Sequence, residues 1–254
     1  MTLPHLIWLY RYLWIAPHLL LLAVAAVMFR KGLHKSFPIF FVYLLFEFLM
    51  FAILYPMALF RWATTLTIYV RVDMLDRAGN VALFFGVIQE MFEAPLAHNT
   101  ALRRGMAQMR NRLTAILVVL ASAFIVALCY GTFEHSLIRT YVIVEVLNTV
   151  QCGLLLFVFL WHWALGLRMS PFTFGIAVGM MLTRCIEPLE MILNAFVPQQ
   201  NGMIGAMLNM ATYHAAVLIW LYYASAREEV PSISYAALPQ FMEQASEIGR
   251  IAHL

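Results

Sequence analysis

Six glutamates and one arginine fall inside stretches that are otherwise apolar: Glu47, Glu90, Glu93, Glu145, Glu187, Glu190 and Arg184. A charged residue at the centre of a lipid-embedded helix costs about 2.5–3.5 kcal/mol on insertion scales, so such groups face protein or a water-filled cavity. One guanidinium does not balance six carboxylates. Either several of the acids carry protons, or a bound cation or proton compensates the set. The bland alternative is that each glutamate is a hydrogen-bonded contact between helices. Spacing groups these residues. Thr183 or Arg184, Glu187, Glu190 and Asn194 recur at helical intervals, and Glu145, Asn148, Thr149 and Cys152 stand at i, i+3, i+4 and i+7, so each set forms one polar stripe. Asn209, Tyr213 and His214 add polar groups to the last apolar stretch. The candidate ligand-binding set is therefore Glu90, Glu93, Glu145, Arg184, Glu187, Glu190, Asn209, Tyr213 and His214. Arg184 is expected to pair with Glu187 or Glu190 on its own helix, or with Glu90 or Glu93 across the bundle. Pro188 lacks an N–H, which frees the Arg184 carbonyl and predicts a kink. Glu90-x-x-Glu93 before Pro95 and Glu187-Pro188-x-Glu190 share a pattern, which is equally a trace of internal duplication or a coincidence.

The elements that position these residues follow from composition. Of 254 residues, 63% are hydrophobic and only 11% are charged, a balance that predicts an all-α integral membrane protein. Seven spans are expected: 6–29, 37–60, 80–101, 113–133, 139–167, 171–197 and 202–224. The first is read as a helix, because it lacks the basic start and small-residue cleavage site of a signal peptide. Residues 61–79 read as a mixed loop that could hold a short surface helix. Basic residues favour an external N-terminus and an internal C-terminus: Arg30, Lys31, Lys35, Arg103, Arg104, Arg110, Arg112 and Arg168 fall in the inner loops. Two units result, a seven-helix transmembrane domain over 1–226 and a cytoplasmic tail over 227–254. In the tail Leu238, Phe241, Met242, Ala245 and Ile248 keep a helical period and predict a short amphipathic helix on the inner membrane face or on a protein partner; a partly frayed tail fits as well.

Known chemistries narrow the choice. A retinal protein needs a lysine in its last span, and the lysines here are Lys31 and Lys35 in a loop. No phosphate-binding loop, His-Glu-x-x-His or nucleophile elbow occurs, and no pair of Glu-x-x-His motifs that would hold di-iron. His18 with His214, and His98 with His162, match in depth as bis-histidine haem ligands would, although lone helical histidines are more often core residues. Cys129, Cys152 and Cys185 read as single buried thiols, with no disulfide and no metal spacing. The small net charge of +3, placed between spans, reads as a topology signal and not as a nucleic-acid footprint.

After the first apolar span stands Arg30-Lys31-Gly32-Leu33-His34-Lys35-Ser36-Phe37-Pro38-Ile39-Phe40-Phe41. This stretch resembles an uncharacterised family of seven-helix proteins from soil bacteria, Acidobacteria among them, and the tyrosine-rich end of the last span fits it too. The resemblance implies a bacterial inner membrane and carries no catalytic residue over. The layout is also similar to the membrane modules of bacterial seven-helix sensors, which usually continue into a kinase or cyclase domain that these 254 residues do not contain. Two functions are expected in order: a receptor-like or accessory protein that binds a small cationic or protonatable ligand and acts through a partner, then a proton- or cation-coupled carrier. An enzyme ranks third, and the cofactor is left open.

Overall fold

The computed structural model describes residues 3–60, 66–93, 133–164, 169–196 and 202–226. Among them are six α-helices: α1 (Leu3–Lys31), α2 (Pro38–Leu59), α3 (Leu66–Glu93), α4 (Phe133–Ala164), α5 (Pro171–Phe196) and α6 (Gly202–Ser225). A 3₁₀ turn, Leu33–Lys35, joins α1 to α2. The all-helical class holds. The expected fourth span at 113–133, Cys129 and the tail lie outside the described residues. By length and composition two described stretches can cross a membrane, Trp8–Lys31 and Pro38–Leu59, with mean hydropathy 2.0 and 2.1. Shorter apolar stretches among the described residues are Val146–Leu160 of α4 and Pro171–Ile186 of α5.

Part of the expected loop at 61–79 is helix: α3 starts at Leu66 and continues through Gly79 to Glu93. The physical reason is local. No proline interrupts 66–79, and Asp73 pairs with Arg77 one turn on, at 3.0 Å, so the charges read as loop instead brace the helix. Likewise α5 runs on through Pro188. Its start is set by Ser170, whose Oγ accepts from the Thr173 amide at 3.1 Å, with Pro171 at the first helical position.

The six helices close a ring, each packed on its neighbours in chain order and α6 on α1. Ring and side-chain contacts fix their directions. Lys31 at the end of α1 donates to the Ser225 and Ala226 carbonyls at the end of α6, both at 2.7 Å, so these two helices run parallel. Phe40, early in α2, stacks edge-on to Trp220, late in α6, so α2 runs opposite. Glu90, late in α3, reaches the first amides of α2, which makes α3 parallel to α1. Gln151 of α4 donates to the Val81 carbonyl and Phe157 meets Phe92, so α4 runs with α3. Phe159 late in α4 meets Phe174 early in α5, which reverses α5.

The end of the ring where α1 and α6 finish is filled solidly. Phe40, Tyr43, Phe172 and Trp220 are buried there and meet edge to face or stacked at 5.4–6.2 Å. Gly175 and Gly179 of α5 make this packing possible. A Cβ on Gly179 would overlap the Trp220 indole, and one on Gly175 the Tyr223 ring. This small-xxx-small spacing, legible in the sequence, is the usual device for close helix approach between apolar helices.

Candidate functional site

Towards the other end of the ring the packing opens. A cavity of about 270 Å³ is lined from five helices: Leu13, Trp14 and His18 of α1, Tyr43 and Glu47 of α2, Asn80 of α3, Thr183 and Arg184 of α5, and Asn209, Met210 and Tyr213 of α6. One polar chain crosses it. The Asn80 amide nitrogen donates to Glu47 Oε1, while its oxygen accepts from Arg184 Nη2. Arg184 Nη1 continues to Asn148 Oδ1 of α4 at 3.4 Å, and the guanidinium carbon lies 4.3 Å above the Phe84 ring, a cation–π contact. Glu47 and Arg184 are 8% and 6% exposed, so both charges sit inside protein. An amide is suited to this place. It offers a donor to the carboxylate and an acceptor to the guanidinium, and so holds opposite charges in order without merging them.

Asp76 stands one turn before Asn80 on α3 and acts electrostatically on both Glu47 and Arg184. Its Oδ1 is buried and has no hydrogen-bond partner among the described residues. Tyr213 lies beside Glu47. His18 bonds back to the Trp14 carbonyl through Nδ1 at 2.8 Å and stacks on Phe51 with ring centres 4.1 Å apart. The cavity is thus lined by the rings of Trp14, His18, Tyr43 and Tyr213 together with one carboxylate, Glu47, the amides of Asn80 and Asn209, and the Arg184 guanidinium.

Of the residues picked from sequence, Arg184, Asn209 and Tyr213 meet at this cavity. His214 packs next to it, its ring 5.6 Å from that of Tyr12. Glu90 is placed elsewhere. Phe37, the N-cap of α2, has no capping side chain and Pro38 has no N–H, so the Ile39 and Phe40 amides donate to the two Glu90 oxygens, each at 3.0 Å. Glu90 is a helix cap supplied by a neighbouring helix, stabilised by the positive end of the α2 dipole. Glu93, Glu145, Glu187 and Glu190 lie on α3, α4 and α5, but their side chains fall outside the described residues. Among the described residues Arg184 is linked through Asn80 to the carboxylate of Glu47, a residue noted in the sequence but not placed in the site. Asp76 and Asn80 escape sequence reasoning because the loop assigned to 61–79 hides their i, i+4 spacing. Cys152 and Cys185 are another departure: expected as separate thiols, they touch.

Comparison of the chain with models of protein families, with curated protein sequences and with solved structures finds no match.

Proposed function

We propose that this chain is a seven-helix integral protein of a bacterial inner membrane, N-terminus outside and C-terminus in the cytoplasm. Its polar cavity binds a small cationic or protonatable ligand, and a protein partner reads the change through the cytoplasmic tail. Membrane placement is supported by the outward faces. Leu22 of α1, Leu49 of α2, Leu75 of α3, Leu160 of α4, Phe174 of α5 and Leu218 of α6 are all exposed, so apolar side chains ring the bundle where a water-soluble protein would place polar ones. The helix directions agree with seven spans: α3 and α4 run the same way, as third and fifth spans do.

The ligand reading is carried by one observation, the charge imbalance around the cavity. Among the described residues the three carboxylates of Glu47, Asp73 and Asp76 stand against two guanidiniums, those of Arg77 and Arg184, and of these Glu47 and Arg184 line the cavity itself. One positive charge, from a ligand or a proton, completes neutrality, and the aromatic faces of Trp14, Tyr43 and Tyr213 are ready to receive the apolar part of a small organic cation. A receptor is favoured over a carrier by the aromatic plug of Phe40, Phe172 and Trp220, which fills the opposite end of the ring. The alternative, a proton- or cation-coupled carrier, uses the same acids but needs that plug to open.

Native mass spectrometry of gently purified protein tests the reading. The expected outcome is a retained small molecule on wild type that is missing from Glu47→Gln and lost as pH falls. Equal retention by both at every pH would place the site elsewhere. Uptake of that molecule into proteoliposomes holding the protein would favour the carrier.

A further inference from the structure

Cys152 of α4 and Cys185 of α5 meet sulfur to sulfur, 2.7 Å apart. Both are free thiols and neither is fully buried. They are 33 residues apart in sequence and come from adjacent helices, so nothing stands between them. A bond would draw the sulfurs in to ~2.05 Å, the length of a disulfide. The pair is also tied to the cavity. Asn148, one turn before Cys152, accepts from Arg184, which immediately precedes Cys185. The two helices that carry the thiols are the two that share the cavity's guanidinium.

We propose that Cys152 and Cys185 are a redox-active dithiol that closes into a disulfide between α4 and α5, with a lipid-soluble quinone as oxidant. Two S–H bonds break and one S–S bond forms. The two protons and two electrons released reduce the quinone to its hydroquinone. Only the class of oxidant rests on the membrane reading above: thiols between apolar helices in a bilayer are met by an acceptor that partitions into lipid, and quinones take two electrons with two protons. The pairing itself rests on the sulfur contact. In the dithiol, the contacts described between α4 and α5 at this level are made by side chains. In the disulfide they are pinned one residue from Arg184, which fixes the cation that faces the cavity.

The test uses the full chain in membranes. The sequence holds three cysteines, so Cys129→Ser leaves the proposed pair alone. Membranes are treated with a short-chain quinone or with a charged, membrane-impermeant disulfide reagent, then denatured and labelled with a maleimide. The expected result is two labels before treatment, none after the quinone, two after the impermeant reagent, and an intact mass lower by two hydrogens in the oxidised form. Adding Cys152→Ser or Cys185→Ser should leave the remaining thiol labelled throughout. Peptide mapping of the quinone-treated wild type should yield one linked peptide pair containing Cys152 and Cys185, which covers the case in which Cys129→Ser misfolds. Two labels after the quinone, or a disulfide-linked dimer in place of the internal bond, overturns the proposal. Closure by the impermeant reagent alone overturns the quinone and the membrane placement together, while leaving the cavity reading to its own test.

Discussion

Arg184 is the residue on which the centre of the bundle depends. It is buried, and through Asn80 it balances Glu47. Removing one member of a buried charge set strands the other, at a cost of about 3–5 kcal/mol. Arg184→Ala should therefore lower the melting temperature in detergent sharply, and Arg184→Met no less, since refilling the volume does not restore the charge. Melting curves equal to wild type for both would mean that water, not protein, holds Glu47. Glu47→Gln in the Arg184→Met background should recover part of the loss, because the stranded charge is then gone. A double-mutant cycle on unfolding free energies measures that coupling, and a value near zero would show that Asn80 insulates the two groups instead of linking them.

At the scale of elements, two contacts decide how helices begin and how closely they approach. Glu90 of α3 serves the first amides of α2. Glu90→Ala leaves one buried donor, the Phe40 amide, and one part-buried donor, the Ile39 amide, unmet and should cost about 1–3 kcal/mol, with Glu90→Gln in between because one acceptor remains. Hydrogen exchange should then rise first at Ile39 and Phe40; protection unchanged there would remove the cap from the account. Gly179 and Gly153 form a contrast of sign. Gly179→Ala meets the Trp220 indole, whereas a Cβ at Gly153 meets nothing. The first should destabilise by about 1–3 kcal/mol through overpacking. The second should stabilise by up to about 1 kcal/mol, since alanine is the better helix former. Thermal melts of the two single variants check both, and a stabilising Gly179→Ala would mean that α5 and α6 are less tightly packed than described.

For the whole molecule, the parallel course of α1, α3, α4 and α6 against α2 and α5 gives both ends of the ring a definite identity. The seven-span proposal puts the aromatic plug and Lys31 at the cytoplasmic end and the cavity towards the outside. A reporter fused after Leu254 should be cytoplasmic, and one inserted at Gln199 external, in a paired enzymatic topology assay. An external C-terminus would reverse the bundle and turn the cavity inward.

Sequence alone determined what is local. Hydropathy and helical period are properties of neighbouring residues, so the all-helical class, the apolar walls and the anomaly of Arg184 were legible without a fold. So were Asn209 and Tyr213 as cavity residues, from their place inside an apolar stretch. The same logic misjudged 66–79, because charged residues look like a loop until Asp73 and Arg77 are seen to brace one helix face. What only the tertiary structure decided is which polar groups meet. Asn80 touches Glu47 across 33 residues and Arg184 across 104, and Glu90 reaches amides 50 and 51 residues away. These pairings depend on how each helix is rotated about its axis and on the order of the ring. A helix with polar groups on more than one face fits several rotations equally well by period alone. Packing chooses among them, through contacts such as Trp220 over Gly179 that no single helix encodes.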